Sequence, residues 1–184
     1  MSINLTKGGT LNLTKEAPNL KEVMFGAGWD APEGKEIDLD LSLFALGENG
    51  KCRSDDDMIY YGHQANKDAT LKSSGDNRTG AGDGDDETIA AHLEKLDPAI
   101  KKLVVVLTRY DNGVVALGEV SNAYIRAVNK DGDKELAKFS LAGEPNAKSL
   151  TLGELSREAD GWHFKAVGQY SPEGLDALST KYGL

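Results

Sequence analysis

Residues 37–46 read IDLDLSLFAL, and the spacing of their apolar side chains decides the fold. Ile37, Leu39, Leu41 and Leu43 recur at every second position, which places them on one face of an extended chain and turns Asp38, Asp40 and Ser42 to the other. A helical period would scatter them around an axis, so the stretch is expected to be a β-strand with one face on a core. On such a strand Asp38 and Asp40 stand roughly 7 Å apart on the same side. An ordinary polar sheet face would account for them. Aspartate is disfavoured in strands, however, and two at alternate positions point to a purpose.

The same period extends outward along the chain. Residues 3–15 (INLTKGGTLNLTK) alternate on both sides of Gly8 and Gly9, the pattern of a β-hairpin. Residues 23–28 form a glycine-punctuated apolar run that leads through Trp29 and Asp30 to a turn at Pro32 and Gly34. The acidic triplet 55–57 reads as a solvated turn before a strand at 58–61, with His63 exposed in the loop that follows. Residues 88–96 (TIAAHLEKL) fit a short helix or a strand, and Asp97-Pro98 resembles a helix start. The β-branched run 103–107 (LVVVL) is a buried strand. Two hairpins follow, 119–129 with 134–141 across Asp131-Gly132, and 150–157 with 162–170 across Asp160-Gly161. Ser171 is placed as the cap of a terminal helix, with Pro172 at its first position, Leu175 and Leu178 on one side and Gly183 as its stop. Many short strands with minor helices predict a mainly β chain, an antiparallel β-sandwich with short helices including one at the C-terminus.

Residues 74–87 (SGDNRTGAGDGDDE) break this rhythm. Asp76, Asp83, Asp85, Asp86 and Glu87 share the segment with Gly75, Gly80, Gly82 and Gly84 and with a single cation, Arg78. Glycine permits tight curvature, so several oxygens can be turned towards one centre. Two carboxylates about 5 Å apart repel by roughly 3 kcal/mol at an effective dielectric near 20. A hard divalent cation reverses that sign, and calcium accepts 6 to 8 oxygens in loose geometry. Composition alone is equally compatible with a solvated acidic linker. The register of an EF-hand fails from Asp76 and from Asp83, and the negative charge and missing lysine make the segment a poor phosphate cradle. Loops gather at the ends of a sandwich, which allows Asp30, Asp38 and Asp40 to meet residues 76–87.

The 184 residues suit one domain, residues 1–184, with 39% hydrophobic and 28% charged side chains as in globular proteins. A net charge of −9 opposes direct contact with nucleic acid. Cys52 has no second cysteine to pair with, and no leader-like or membrane-spanning apolar run is legible, so a cytoplasmic location is expected.

Taken together, LTKGGTLNLTK at 5–15, GWD at 28–30, DLDLSLFAL at 38–46, the acidic loop, VSNAYIRAVN at 120–129, GELSR at 153–157 and WHFKAVGQ at 162–169 resemble the TerD-like tellurite-resistance and calcium-binding stress proteins. The resemblance spans essentially the whole chain. The family pattern Gly-Asp-Asn-x-Thr-Gly-x-Gly-x-Gly-Asp-Asp-Glu is met from Gly75 to Glu87. Departures are the MFGA sequence at 24–27 and the weakly strand-like segment 88–94.

The resemblance implies a Ca2+ site, with two ions expected, drawn from Asp30, Asp38, Asp40, Asp76, Asn77, Thr79, Gly80, Asp83, Gly84, Asp85, Asp86 and Glu87. It also implies a non-catalytic scaffold or sensor of the stress response, working with other stress-resistance proteins at the inner membrane surface and lacking a transmembrane segment. The alternatives are a metal-dependent hydrolase built on the same acids and a calcium-bridged membrane-docking module. His63, His92 and His163 have no metal-ligand spacing, which counts against the hydrolase.

Overall fold

The computed structural model describes residues 3–30, 38–79, 84–110, 117, 120–140 and 146–184. Twelve strands occur among them: β1 (Ile3–Asn4), β2 (Thr10–Asn12), β3 (Glu22–Asp30), β4 (Leu39–Leu46), β5 (Met58–Ile59), β6 (Leu71–Ser73), β7 (Glu87–His92), β8 (Lys102–Arg109), β9 (Ser121–Asn129), β10 (Lys134–Ser140), β11 (Ser149–Glu158) and β12 (Gly161–Ser171). Two short helices accompany them, α1 (Leu13–Glu16) and α2 (Leu175–Lys181). One six-stranded sheet runs β1-β10-β9-β3-β7-β6 and the other β2-β12-β11-β8-β4-β5. All pairings are antiparallel except β1 with β10, so the expected sandwich is the fold.

The inner faces meet through side chains two residues apart, among them Val23, Phe25 and Ala27 of β3, Leu39, Leu41 and Leu43 of β4, Leu103, Val105 and Leu107 of β8, and Ile125 and Ala127 of β9. Each of these leucines is essentially inaccessible to water, which contributes about 2 kcal/mol per side chain. The outer face of β4 is not the polar, solvated face that alternation suggested. Every residue of β4 is buried, because Phe44 and Leu46 join Val104 and Val106 in a second apolar layer under Leu178 of α2 and Tyr182 just after it. The Phe44 and Tyr182 rings lie 4.7 Å apart.

Several local expectations are corrected. Residues 3–15 do not fold on themselves: β1 pairs with β10 in one sheet and β2 with β12 in the other. The Gly8-Gly9 turn carries the chain between sheets, where longer partners offer more hydrogen bonds than a short hairpin. Residues 97–100 form a turn, not a helix, with Asp97 Oδ1 accepting from Ala99 N and Ile100 N donating to Asp97 O. Ser171 Oγ accepts from Glu173 N, a turn that precedes α2 and does not cap it. The triplet 55–57 is a 3-10 turn whose Asp57 is buried against Arg53 Nε and Nη2, both 2.8 Å away. His63 is half-buried and bridged to Tyr60. The ambiguous segment 88–96 begins in β7, whose Glu87, Ile89 and Ala91 point inward. The expected turn at Pro32 and Gly34 lies outside the described residues.

Candidate metal centre

At one end of the sandwich lie the start of β4 and the start of β7, into which the acidic segment leads from β6. The carboxylates of Asp38, Asp40 and Asp76 each offer an oxygen, and these oxygens lie within 4.8 Å of one another. Asp40 is 3% exposed, on the outer face of β4 beside Ser42. Asp38 Oδ1 is buried and has no hydrogen-bond partner among the described residues, while its Oδ2 lies 3.8 Å from Arg78 Nε. Burial first, then the charges of Asp38 and Asp76, push the Asp40 carboxyl up to about 7, and Arg78 offsets part of this. Asp38 is displaced in the same direction by burial and by Asp76.

Glu87 closes the group from the other sheet. β5 pairs only with Leu43 and Phe44, so the Leu41 N–H on that edge finds no strand partner and instead donates to Glu87 Oε2 at 2.7 Å. Asn77 N donates to Glu87 Oε1 at 3.0 Å. Burial raises the Glu87 carboxyl to about 7 in spite of these two bonds. One side chain thus ties both sheets and the acidic segment together, because a buried carboxylate must find donors.

The remaining expected residues divide by task. Asn77 Nδ2 donates to Asp86 Oδ1 at 3.1 Å, and Asn77 Oδ1 accepts from Thr79 N and Thr79 Oγ1, so both shape the loop. Asp86 Oδ2 accepts from Trp29 N at 2.9 Å, where β3 slips register against β9 between Gly28 and Asp30. Asp30 is exposed at the end of β3 and accepts from Asn122 Nδ2 at 2.6 Å. Gly84 takes φ +98°, a conformation open to glycine. Asp85 is committed elsewhere: Arg126 grips it with Nε and Nη2 at 2.8 and 2.9 Å, and the Tyr124 hydroxyl donates to it at 3.0 Å. Gly80 and Asp83 lie outside the described residues.

Sequence reasoning missed the partners that seat the loop, Arg126, Tyr124, Gly26 and Gly28. A Cβ on Gly26 would come within 2.2 Å of Asp85 Oδ2, and one on Gly28 within 2.5 Å of Gly84 O. The glycines at 26 and 28 lie on one face of β3, and the bare backbone there is what lets the acidic segment lie down on the sheet. The signal was present in the MFGAGWD run as alternate glycines in a strand, which mark a close approach of another backbone.

The TerD domain matches residues 1–182. The chain is 41% identical to tellurium resistance protein TerD of Serratia marcescens, covering 100% of this chain and 98% of that one. It is 38% identical to general stress protein 16U of Bacillus subtilis, again over 100% of this chain and 98% of the relative. A solved structure, a homologue of telluride resistance protein (TerD) from Streptomyces coelicolor A3(2), superposes with a TM-score of 0.71 at 22% identity, over 88% of this chain and 96% of that one. A full-length match of this kind, on the fold described, places the chain in the TerD family of tellurium-resistance and stress-response proteins.

Proposed function

We propose that the chain is a calcium-binding, non-catalytic module of the bacterial stress response, a Ca2+-dependent scaffold or sensor associated with tellurite resistance. One observation carries the reading: three carboxylates converge within 4.8 Å, and a buried oxygen of Asp38 in that group lacks any donor among the described residues. Such an arrangement is self-repelling as it stands, and a divalent cation is the partner whose charge and oxygen preference fit it. Asp38, Asp40 and Asp76 would hold the first ion, and the Ser42 hydroxyl, buried and without a hydrogen-bond partner among the described residues, lies two positions from Asp40 on the same strand face. A second ion would draw on Asp30 and Asp86. The supply of flexible oxygens favours calcium over magnesium, which keeps its waters and demands octahedral geometry. The cation supplies charge neutralisation that holds β4 to the acidic segment.

The non-catalytic reading is supported by what surrounds the acids. Glu87, placed where a general base would be useful, is occupied by two backbone N–H groups. His63, His92 and His163 pair with Asp56, Glu22 and Asp160 instead. Direct reduction of tellurite finds no equipment either. The acidic end repels an oxyanion, and burial together with Asp57 pushes the Cys52 thiol up to about 11, which leaves it without reactive thiolate at neutral pH. Among the described residues no helix is long and apolar enough to cross a membrane. A cytoplasmic protein that meets other stress-resistance proteins at the inner membrane surface agrees with these features.

Calorimetric titration of chelator-stripped protein tests the proposal. Calcium is expected to bind saturably and magnesium at least about tenfold more weakly. Equal heats for the two ions, or none for calcium, would refute it.

A further inference from the structure

The outer face shared by β4, β8 and β11 changes character where α2 begins. Under the helix it is apolar, with Phe44, Leu46, Val104 and Val106. Beyond the helix start the same strand faces carry Asp40, Thr108 and Ser149, side by side in register and each no more than 3% exposed. Over Asp40 and Thr108 opens a cavity of about 560 Å3, bordered also by Tyr61, Tyr110 and the first turn of α2 with Leu175 and Asp176. Its volume falls within the roughly 300 to 1,000 Å3 of small-molecule sites.

The aromatic wall narrows the choice of ligand. Tyr61 and Tyr110 are the large hydrophobic side chains left exposed among the described residues, at 41% and 43%, and both line this cavity. Tyr61 is held edge-on to Tyr60 at 5.1 Å and to Tyr110 at 6.0 Å, and Tyr110 N donates to Asp38 O, so the rings are ordered before any ligand arrives. The face of a tyrosine ring attracts a cation through its quadrupole. The chain makes that contact within itself, Lys138 Nζ lying 3.8 Å from the centre of the Tyr124 ring. Among the described residues no cation lies over Tyr61 or Tyr110.

Charge narrows it further. Arg109 and Lys148 border the cavity, but strand alternation turns their side chains to the sheet face opposite Thr108, Tyr110 and Ser149, and both already have partners. The charges left facing the cavity are the carboxylates of Asp40 on its floor and of Asp176, exposed at its rim. Both act on the Tyr61 hydroxyl, which burial first, then Tyr110, Asp40, Tyr60 and Asp176 push above its ordinary value. Open aromatic faces beside two carboxylate acceptors suit a positively charged guest with N–H donors and repel an anion.

We propose that this cavity binds a small aliphatic amine in its ammonium form, its charge against the Tyr61 and Tyr110 rings, its N–H groups donating to Asp40 and Asp176 and its methylene stem along Leu175. The acidic trio is a separate site, and Asp40 is the residue the two share.

The test is calorimetric titration of the chelator-stripped full chain with putrescine. The comparison probes are its neutral diol analogue and tetramethylammonium, which carries the charge without N–H donors. Calcium is titrated into the same preparation, so failure at the cavity is read separately from failure at the trio. Putrescine is expected to bind saturably, the diol not at all, and tetramethylammonium about fivefold or more weakly than putrescine. Tyr61→Leu and Tyr110→Leu should each weaken putrescine about fivefold, and Asp176→Asn about threefold. Glu158→Gln, which removes an exposed acid at the opposite end of the sheet, should leave the affinity unchanged. All four side chains lie at the surface or on the cavity wall, and unchanged circular dichroism confirms the fold of each variant. Putrescine binding that survives both tyrosine variants marks diffuse attraction to an acidic surface. That result, tetramethylammonium binding as tight as putrescine's, or no putrescine binding at all overturns the proposal.

Discussion

Replacement of Asp40 by asparagine separates the electrostatic account of the acidic trio from a purely architectural one. Asp40 is 3% exposed, and burial together with Asp38 and Asp76 raises its carboxyl from 3.8 to about 7. The folded chain therefore holds a proton that the unfolded chain has lost between these two values. Stability from this group falls as pH rises through that window and levels off above about 7. A displacement of about three units corresponds to about 4 kcal/mol, and local relaxation and water entry reduce this to an expected gain of about 2 kcal/mol for Asp40→Asn in chelator at about pH 8. For a chain of this length that is a rise in Tm of roughly 4 to 8 °C. The amide also offers a donor to the unpartnered Asp38 Oδ1. Calcium at a hundredfold excess over its Kd should stabilise the parent by about 2.7 kcal/mol and the variant by a small fraction of that. Melting curves followed by circular dichroism, with chelator and with calcium, at about pH 8 and about pH 5, give all the comparisons, and the chelator advantage of the variant should shrink at the lower pH. A variant that melts below the parent in chelator at the higher pH, with an undiminished calcium response, refutes the reasoning.

Two other outcomes follow from the same geometry. A calcium ion bound at the trio would have to displace the proton from Asp40, whose carboxyl is raised to about 7, so its affinity should climb with pH and flatten above about 7. Calorimetry in buffers of different ionisation enthalpy should then show proton release below that point, and heats independent of buffer would contradict it. Gly26→Ala drives a Cβ to 2.2 Å from Asp85 Oδ2, and Arg126→Met leaves the Asp85 side chain, 6% exposed, without its cation. Each should cost about 2 kcal/mol, lowering Tm by a similar amount with chelator and with calcium. A loss seen only in calcium would instead make Asp85 a ligand.

The strand content was legible because side-chain alternation is a local property. Residues 37–46 and the two late hairpins carry period-2 patterning, and 103–107 a β-branched apolar run, that need no distant partner to be recognised. The acidic segment and the Asp-x-Asp pair were legible for a similar reason, since charge density and glycine are read residue by residue. What failed were assignments that depend on competition between partners. The alternation around Gly8 and Gly9 is real, yet β1 and β2 each found a longer neighbour in a different sheet. Asp97-Pro98 is a sound helix start, yet Lys101 N, which would close the first helical turn on Asp97 O, donates to Leu46 O instead, and Asp97 O accepts from Ile100 N.

The sequence by itself determined that this chain makes a β-sandwich and that it carries a surplus of carboxylates at positions 30, 38, 40 and 76–87, because strand period and charge are written in neighbouring residues. Only the tertiary structure decided which of those acids converge. Asp38, Asp40 and Asp76 meet at the mouth of the two sheets, Glu87 ties the sheets behind them, and Asp85 is drawn off to Arg126 on the outer face. The physical reason is that a buried carboxylate takes whichever donor or cation the fold brings within reach. That choice is made by strand order and register, which no local stretch of residues contains.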